Sequence, residues 1–237
     1  MSHYRRANTS NATYFFTVVT FQRQTFLCDE PVRNALRNAI YKVQTQYPFK
    51  IDAWVLQPDH KHTIWTLPEN DANFSLRWQL IKRYVTRECG AALNRPEWLN
   101  ASKTKHQEAT LWQPRFWEHQ IRDDSDYQTH MDYCHFNPVK HGLVKRVQDW
   151  PYSSFHKQVS LGNYTIDWAG GGLEEKGLFG DDLDIVTRGS QETHPTKTAL
   201  VTTKHQQAWL AENQLAIDAY NQQVDENGTF GDSLRVF

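Results

Sequence analysis

Residues 13–21 (TYFFTVVTF) are almost wholly β-branched, aromatic or apolar, which predicts a strand. Asp29, Glu30 and Pro31 then form a helix start, with carboxylates and a proline in the first turn. Val32, Leu36, Ile40 and Val43 follow at helical spacing. Two further apolar runs, 51–56 and 60–67, are separated only by Gln57, Pro58 and Asp59, a break short enough for an antiparallel hairpin. Ser75 is a candidate cap for a helix running to about Leu93, and 94–110 is polar and reads as a loop. Residues 116–121 (FWEHQI) predict a fourth strand. Asp123, Asp124 and Ser125 open another helix, expected to end at Asn137-Pro138 because proline disfavours α geometry in the residue before it. The order β-α-β-β-α-β-α predicts an α+β domain, an antiparallel sheet with helices packed on it.

After Trp168 the apolar periodicity is lost. Gly170, Gly171, Gly172, Gly177 and Gly180 punctuate a segment, 169–203, that reads as a flexible linker. A last amphipathic helix is expected over 204–224, where Leu210, Ile217 and Val224 repeat by seven, and Asn227-Gly228 ends it. Charge divides at the same place. Residues 1–168 carry a net +5 (21 Lys and Arg against 16 Asp and Glu), and 169–237 a net −6 (5 against 11). A mildly basic body with an acidic tail fits a polyanion-binding domain joined to a separate module. No apolar run is long enough to span a membrane. Cys28, Cys89 and Cys134 are widely spaced, which suits a reducing cytoplasm better than a disulfide framework.

His60 and His62 fall inside the third strand, and alternation puts both on one face with Lys61 on the other. Such a pair either satisfies itself with local hydrogen bonds or grips one metal ion. The helix before Asn137 offers company: Tyr133 and Asn137 are four apart and share a face, extended by Asp126 and His130, while Tyr127, Met131 and Cys134 form an apolar side for the sheet. Two imidazoles and the Asn137 carbonyl would leave open positions on a divalent ion for phosphate and water, which suits Mg²⁺ or Mn²⁺. A phenol beside such an ion could attack a polarised phosphodiester, storing its energy as a phosphotyrosine.

PDHKH followed by DYCHFNPVKHG resembles the single-tyrosine HUH transposases, and within them the REP-associated tyrosine transposases. The likeness continues through YRR at Tyr4, Arg5 and Arg6, TYFFTVV, PFKIDAWVL, WQPRFWEHQIRD, DWPYSSF and GNYTIDW, and so spans 1–168. The resemblance implies a ferredoxin-like HUH fold and cleavage and joining of single-stranded DNA hairpins at repetitive extragenic palindromes through a 5′-phosphotyrosine. It implies Tyr133 as nucleophile, His60, His62 and Asn137 as ligands of Mg²⁺ or Mn²⁺, and Tyr4, Arg5 and Arg6 as readers of the hairpin foot. Arg77, Lys82 and Arg83 are further DNA-contact candidates. Two residues depart from the family pattern, Lys61 and Gln57, each where an apolar residue is usual; they leave open a catalytically weakened hairpin-binding protein. A metallophosphoesterase that uses water in place of the tyrosine is the other alternative.

The end of the chain, with ENQLAIDAYN and a Gly-Phe close, is similar to the toxin-binding segment of CcdA-type antitoxins. That likeness implies a CcdB-like toxin as partner for 204–237. The expectation for the whole is a monomer in the cytoplasm, associated with the nucleoid.

Overall fold

The computed structural model describes residues 12–99, 101–105 and 109–170. Four strands, β1 (Thr13–Val19), β2 (Lys50–Leu56), β3 (His60–Thr66) and β4 (Trp117–Gln120), form one sheet in the order β2-β3-β1-β4. Every neighbouring pair is antiparallel. The helices are α1 (Glu30–Gln46), α2 (Phe74–Leu93), α3 (Ala101–Lys105), α4 (Asp124–Lys140) and α5 (Phe155–Ser160). The α+β architecture and the element order are those the sequence predicts, with α3 and α5 added.

β1 and β3 are central and covered on both faces, which is why TYFFTVV reads as a continuous apolar run. On one face Phe16 and Trp65 pack on α2, and Trp65 stacks on Trp78 with ring centroids 4.3 Å apart. On the other face Phe15 meets His130 and Tyr133 of α4. The register pairs Thr17 with His62 and Val19 with His60, so both histidines and Thr17 are presented to α4.

The β2–β3 hairpin turn is held inside the molecule. Thr20 N–H and Oγ1–H both donate to Asp59 O, and Leu27 N–H donates to Pro58 O. The exposed side of β2 is closed by the segment after α4. Ser153 bridges Val55, Leu56 N–H donates to Tyr152 O, and Trp150 Nε1–H donates to Leu56 O. An otherwise open edge strand is thereby covered.

Three expectations need correction. Ser75 is not the cap of α2: Asn73 is, its Oδ1 accepting from Leu76 N–H at 3.0 Å. The 94–110 loop contains a short 3₁₀ turn and α3, and is tied at its ends where Thr110 N–H donates to Asn94 Oδ1. Most consequentially, α4 does not stop at Asn137-Pro138 but runs through Pro138 to Lys140. Proline forfeits its own N–H and crowds the turn before it, but the helix end beyond it is secured independently. Gly142, at φ 68°, donates to Val139 O while Leu143 N–H donates to Pro138 O, a Schellman closure.

Candidate active site

Asp59, His60, His62 and Asn137 are wholly enclosed, and Tyr133 is buried beside them. The polar stripe Asp126, His130, Tyr133 and Asn137 expected on α4 is real, but it faces the sheet, since all four are buried. Met131 and Cys134 are buried with them, while Tyr127 is half-buried. A polar stripe can be buried here because the sheet presents its own polar side chains to it.

Each histidine is held through Nδ1. His60 Nδ1–H donates to Asp59 Oδ1 at 2.7 Å, and His62 Nδ1 shares a hydrogen bond of 2.9 Å with Thr17 Oγ1. Burial works to raise the Asp59 carboxyl, but His60, Arg23 and His141 overcome it and leave Asp59 well below the usual carboxylate range. It is therefore an anion that fixes the His60 tautomer, with Nε2 directed at Asn137 Oδ1, 3.4 Å away. The His60 and His62 rings stand edge to face at 5.0 Å, and the Tyr133 ring lies 5.3 Å from His62. Lys140 Nζ donates to Tyr133 Oη at 2.9 Å.

Two imidazoles and one amide carbonyl, with the imidazoles oriented by a carboxylate and a hydroxyl, form a donor set suited to a divalent cation. Gln57 Nε2–H donates to Asn137 Oδ1. The remaining amide atoms, Gln57 Oε1 and Asn137 Nδ2, are buried without a hydrogen-bond partner among the described residues. The unmet Gln57 Oε1 is an acceptor that a cation can satisfy, whereas Asn137 Nδ2 is a donor that a cation cannot.

Other expected residues fall differently. Arg77 is a correction: it is buried and donates to both Asp71 carboxylate oxygens and to the carbonyls of Tyr47, Pro48 and Asn73, so its cation pins the start of α2 and is not presented to DNA. Lys82 is half-buried and donates to Gln113 O, and Arg83 is exposed on the outer face of α2. Tyr4, Arg5 and Arg6 lie outside the described residues, as do the 169–203 linker beyond Gly170 and the 204–224 helix.

Lys61 faces away from the histidines, as alternation requires, but it reaches no solvent. Its Nζ has no hydrogen-bond partner among the described residues and lies 5.3 Å and 5.7 Å from the Trp54 and Trp78 ring centroids. Burial pushes its ammonium down to about 7. Asp59, Thr17 and Lys140 are parts of the site that the sequence analysis missed. An acid directly before the first histidine, a hydroxyl one strand over, and a cation two helical turns from the tyrosine were the signals available.

At the start of α4, His119, Asp126 and His130 come together as a second titratable group. Asp126 Oδ2 accepts from Arg122 N–H and Nε–H and pairs with His119 Nε2, and the two imidazole rings stack at 4.5 Å. Burial works to raise the Asp126 carboxyl, and those hydrogen bonds outweigh it and hold it below the usual range. Arg122 already supplies the positive charge this carboxylate needs.

Residues 8–135 match the family model described as "Transposase IS200 like", a span that includes both histidines and Tyr133. The REP-associated tyrosine transposase of Escherichia coli (strain K12) is 48% identical over 170 residues, which make up 72% of this chain and 92% of that protein. The chain belongs to the REP-associated tyrosine transposases. A relative from Haemophilus influenzae is 43% identical over 171 residues, 72% of this transposase and 94% of the relative. The fold also matches a solved REP-associated tyrosine transposase bound to a REP hairpin, with a TM-score of 0.62 and 46% identity, covering 74% of this chain and 95% of that one. Residues 196–237 match a different family model, the post-segregation antitoxin CcdA. Among the described residues no helix is long and apolar enough to cross a membrane.

Proposed function

We propose that the transposase cleaves and rejoins single-stranded DNA at REP-type palindromic hairpins through a 5′-phosphotyrosine on Tyr133. The observation that carries this reading is the placement of the Tyr133 phenol 5.3 Å, ring to ring, from His62, with His60 and Asn137 next to it in one enclosed cluster. The hairpin-bound state of its structural relative supports the same substrate. His60, His62 and Asn137 would hold Mg²⁺ or Mn²⁺, which when bound polarises the scissile phosphate and orients it for in-line displacement. Asp59 and Thr17 keep the two imidazoles turned toward the site, and Phe15 packs beneath Tyr133 and His62 so that phenol and ligands keep their relative positions.

Attack of Tyr133 Oη on phosphorus forms the P–Oη bond and breaks the bond to the 3′ oxygen. The phenol loses its proton, the departing strand gains one as a 3′-hydroxyl, and the reverse displacement joins strands without a nucleotide cofactor. A monomer is proposed as the working unit. Tyr4, Arg5 and Arg6 are proposed to read the hairpin foot, since arginine forks pair with guanine edges and phosphates, and Arg83 to contact phosphate. The match to CcdA and the acidity of 169–237 support 204–237 as a separate module that binds a CcdB-like toxin. Work on REP hairpins implies a cytoplasmic, nucleoid-associated protein.

The weakened-enzyme alternative rested on Lys61 and Gln57. Lys61 is on the opposite face of the sheet from the histidines, as alternation requires, while Gln57 Nε2–H donates to the proposed ligand atom Asn137 Oδ1, and the cleavage assay separates the two readings. The test is cleavage of a hairpin from the protein's own genome with Mn²⁺, comparing wild type and Tyr133→Phe on a denaturing gel. A covalent protein–DNA band from wild type alone is the expected result. Cleavage that survives in Tyr133→Phe would instead mean water is the nucleophile, and a hairpin shifted but never cut would mean a DNA-binding protein.

A further inference from the structure

We infer that Lys140 is a catalytic residue of this transposase, the cation that carries the negative charge of Tyr133 Oη during cleavage and again during rejoining. The inference rests on the reading of Tyr133 as nucleophile and extends it to a residue outside the motif. Lys140 Nζ donates to Oη at 2.9 Å and lies 4.7 Å from the phenol ring centroid. It stands two turns beyond Tyr133 on the same face of α4. That reach exists only because the helix continues through Pro138 and is closed by the Gly142 cap.

The two partners are unequal in burial: Tyr133 is enclosed, while Lys140 is exposed. A surface ammonium donating to a neutral phenol contributes little to folding, since ordering a long side chain offsets most of the gain. The same ammonium on an oxygen that develops charge forms a charge-assisted bond, stronger by roughly twofold. In the forward step the charge is on the attacking phenolate, and as the P–Oη bond forms it passes to the departing 3′ oxygen. In the joining step the phenolate is the leaving group. The same Nζ–H serves both directions, and no further reactant is needed.

The plain alternative is that Lys140 merely complements the negative end of the α4 dipole. The experiment is single-turnover formation of the covalent adduct on a saturating REP-type hairpin with Mn²⁺, for wild type, Lys140→Met, Lys140→Gln and Lys140→Arg. Hairpin affinity and thermal midpoint are measured on the same samples, and rejoining is followed from purified adduct. We expect Lys140→Met and Lys140→Gln to lose about 10²-fold in both the cleavage and the joining rate, with hairpin affinity unchanged and Lys140→Arg recovering most of the rate. Wild-type rates in the Met and Gln variants, or a loss confined to hairpin affinity, would overturn the role while leaving Tyr133 as nucleophile. Absence of any adduct in wild type would overturn both.

Discussion

Replacing Lys61 by methionine isolates the cost of one buried charge. The lysine is 3% exposed, its Nζ has no hydrogen-bond partner among the described residues, and burial lowers it from 10.5 to about 7. Between those two values the unfolded chain binds the proton and the native state does not, so stability rises with pH across the window 7 to 10.5. Below about pH 7 the native state holds the ammonium at the full cost, roughly 4–5 kcal/mol at 1.36 kcal/mol per pH unit. Methionine has similar volume and no charge. Lys61→Met is therefore expected to exceed wild type in stability by about 4–5 kcal/mol at pH 6, with the gap falling below ~1 kcal/mol at pH 10. Guanidinium unfolding of both proteins in chelator at pH 6, 8 and 10, followed by tryptophan fluorescence, measures the gap, and groups common to the two proteins cancel in the difference. A gap that does not change with pH, or a variant less stable at pH 6, would refute the reasoning.

Further consequences follow from the same contacts. Asp59→Asn keeps the packing but removes the anion that orients His60, and is expected to weaken Mn²⁺ binding by about 10–100-fold in calorimetric titration while the hairpin still binds. Arg77→Met removes five hydrogen bonds at the start of α2 and strands Asp71; a loss of about 2–4 kcal/mol in stability is expected with hairpin affinity unaltered. Ending the chain after Gly170 is expected to leave hairpin cleavage intact and to abolish capture of a CcdB-like toxin; a cleavage defect would show that the tail belongs to the catalytic unit.

The sheet was legible because its signals are local. Alternation placed His60 and His62 on one face, and a β-branched and aromatic run marked β1 as a strand. What was not legible depends on tertiary partners. The α4 stripe looked solvent-facing by composition, yet Asp126, His130, Tyr133 and Asn137 are buried because polar groups on the sheet meet them. Pro138 looked like a terminator, and only the Gly142 closure shows why the helix survives it and brings Lys140 to Tyr133. Arg77 looked like a surface cation because nothing in the sequence reveals that Tyr47 and Pro48 point their carbonyls at it. Thr17 as the partner of His62 needed the β1–β3 register, which no local pattern specifies.

The central claim is that one phenol becomes covalently attached to DNA. The most direct measurement is mass mapping of the adduct: react the full chain with a REP-type hairpin and Mn²⁺, digest the DNA and then the protein, and locate the nucleotide-bearing peptide. The account predicts a single modified residue, Tyr133, carrying a 5′-linked nucleotide phosphate. A nucleotide on another residue, or a cut hairpin with no modified peptide at any stage, would contradict it.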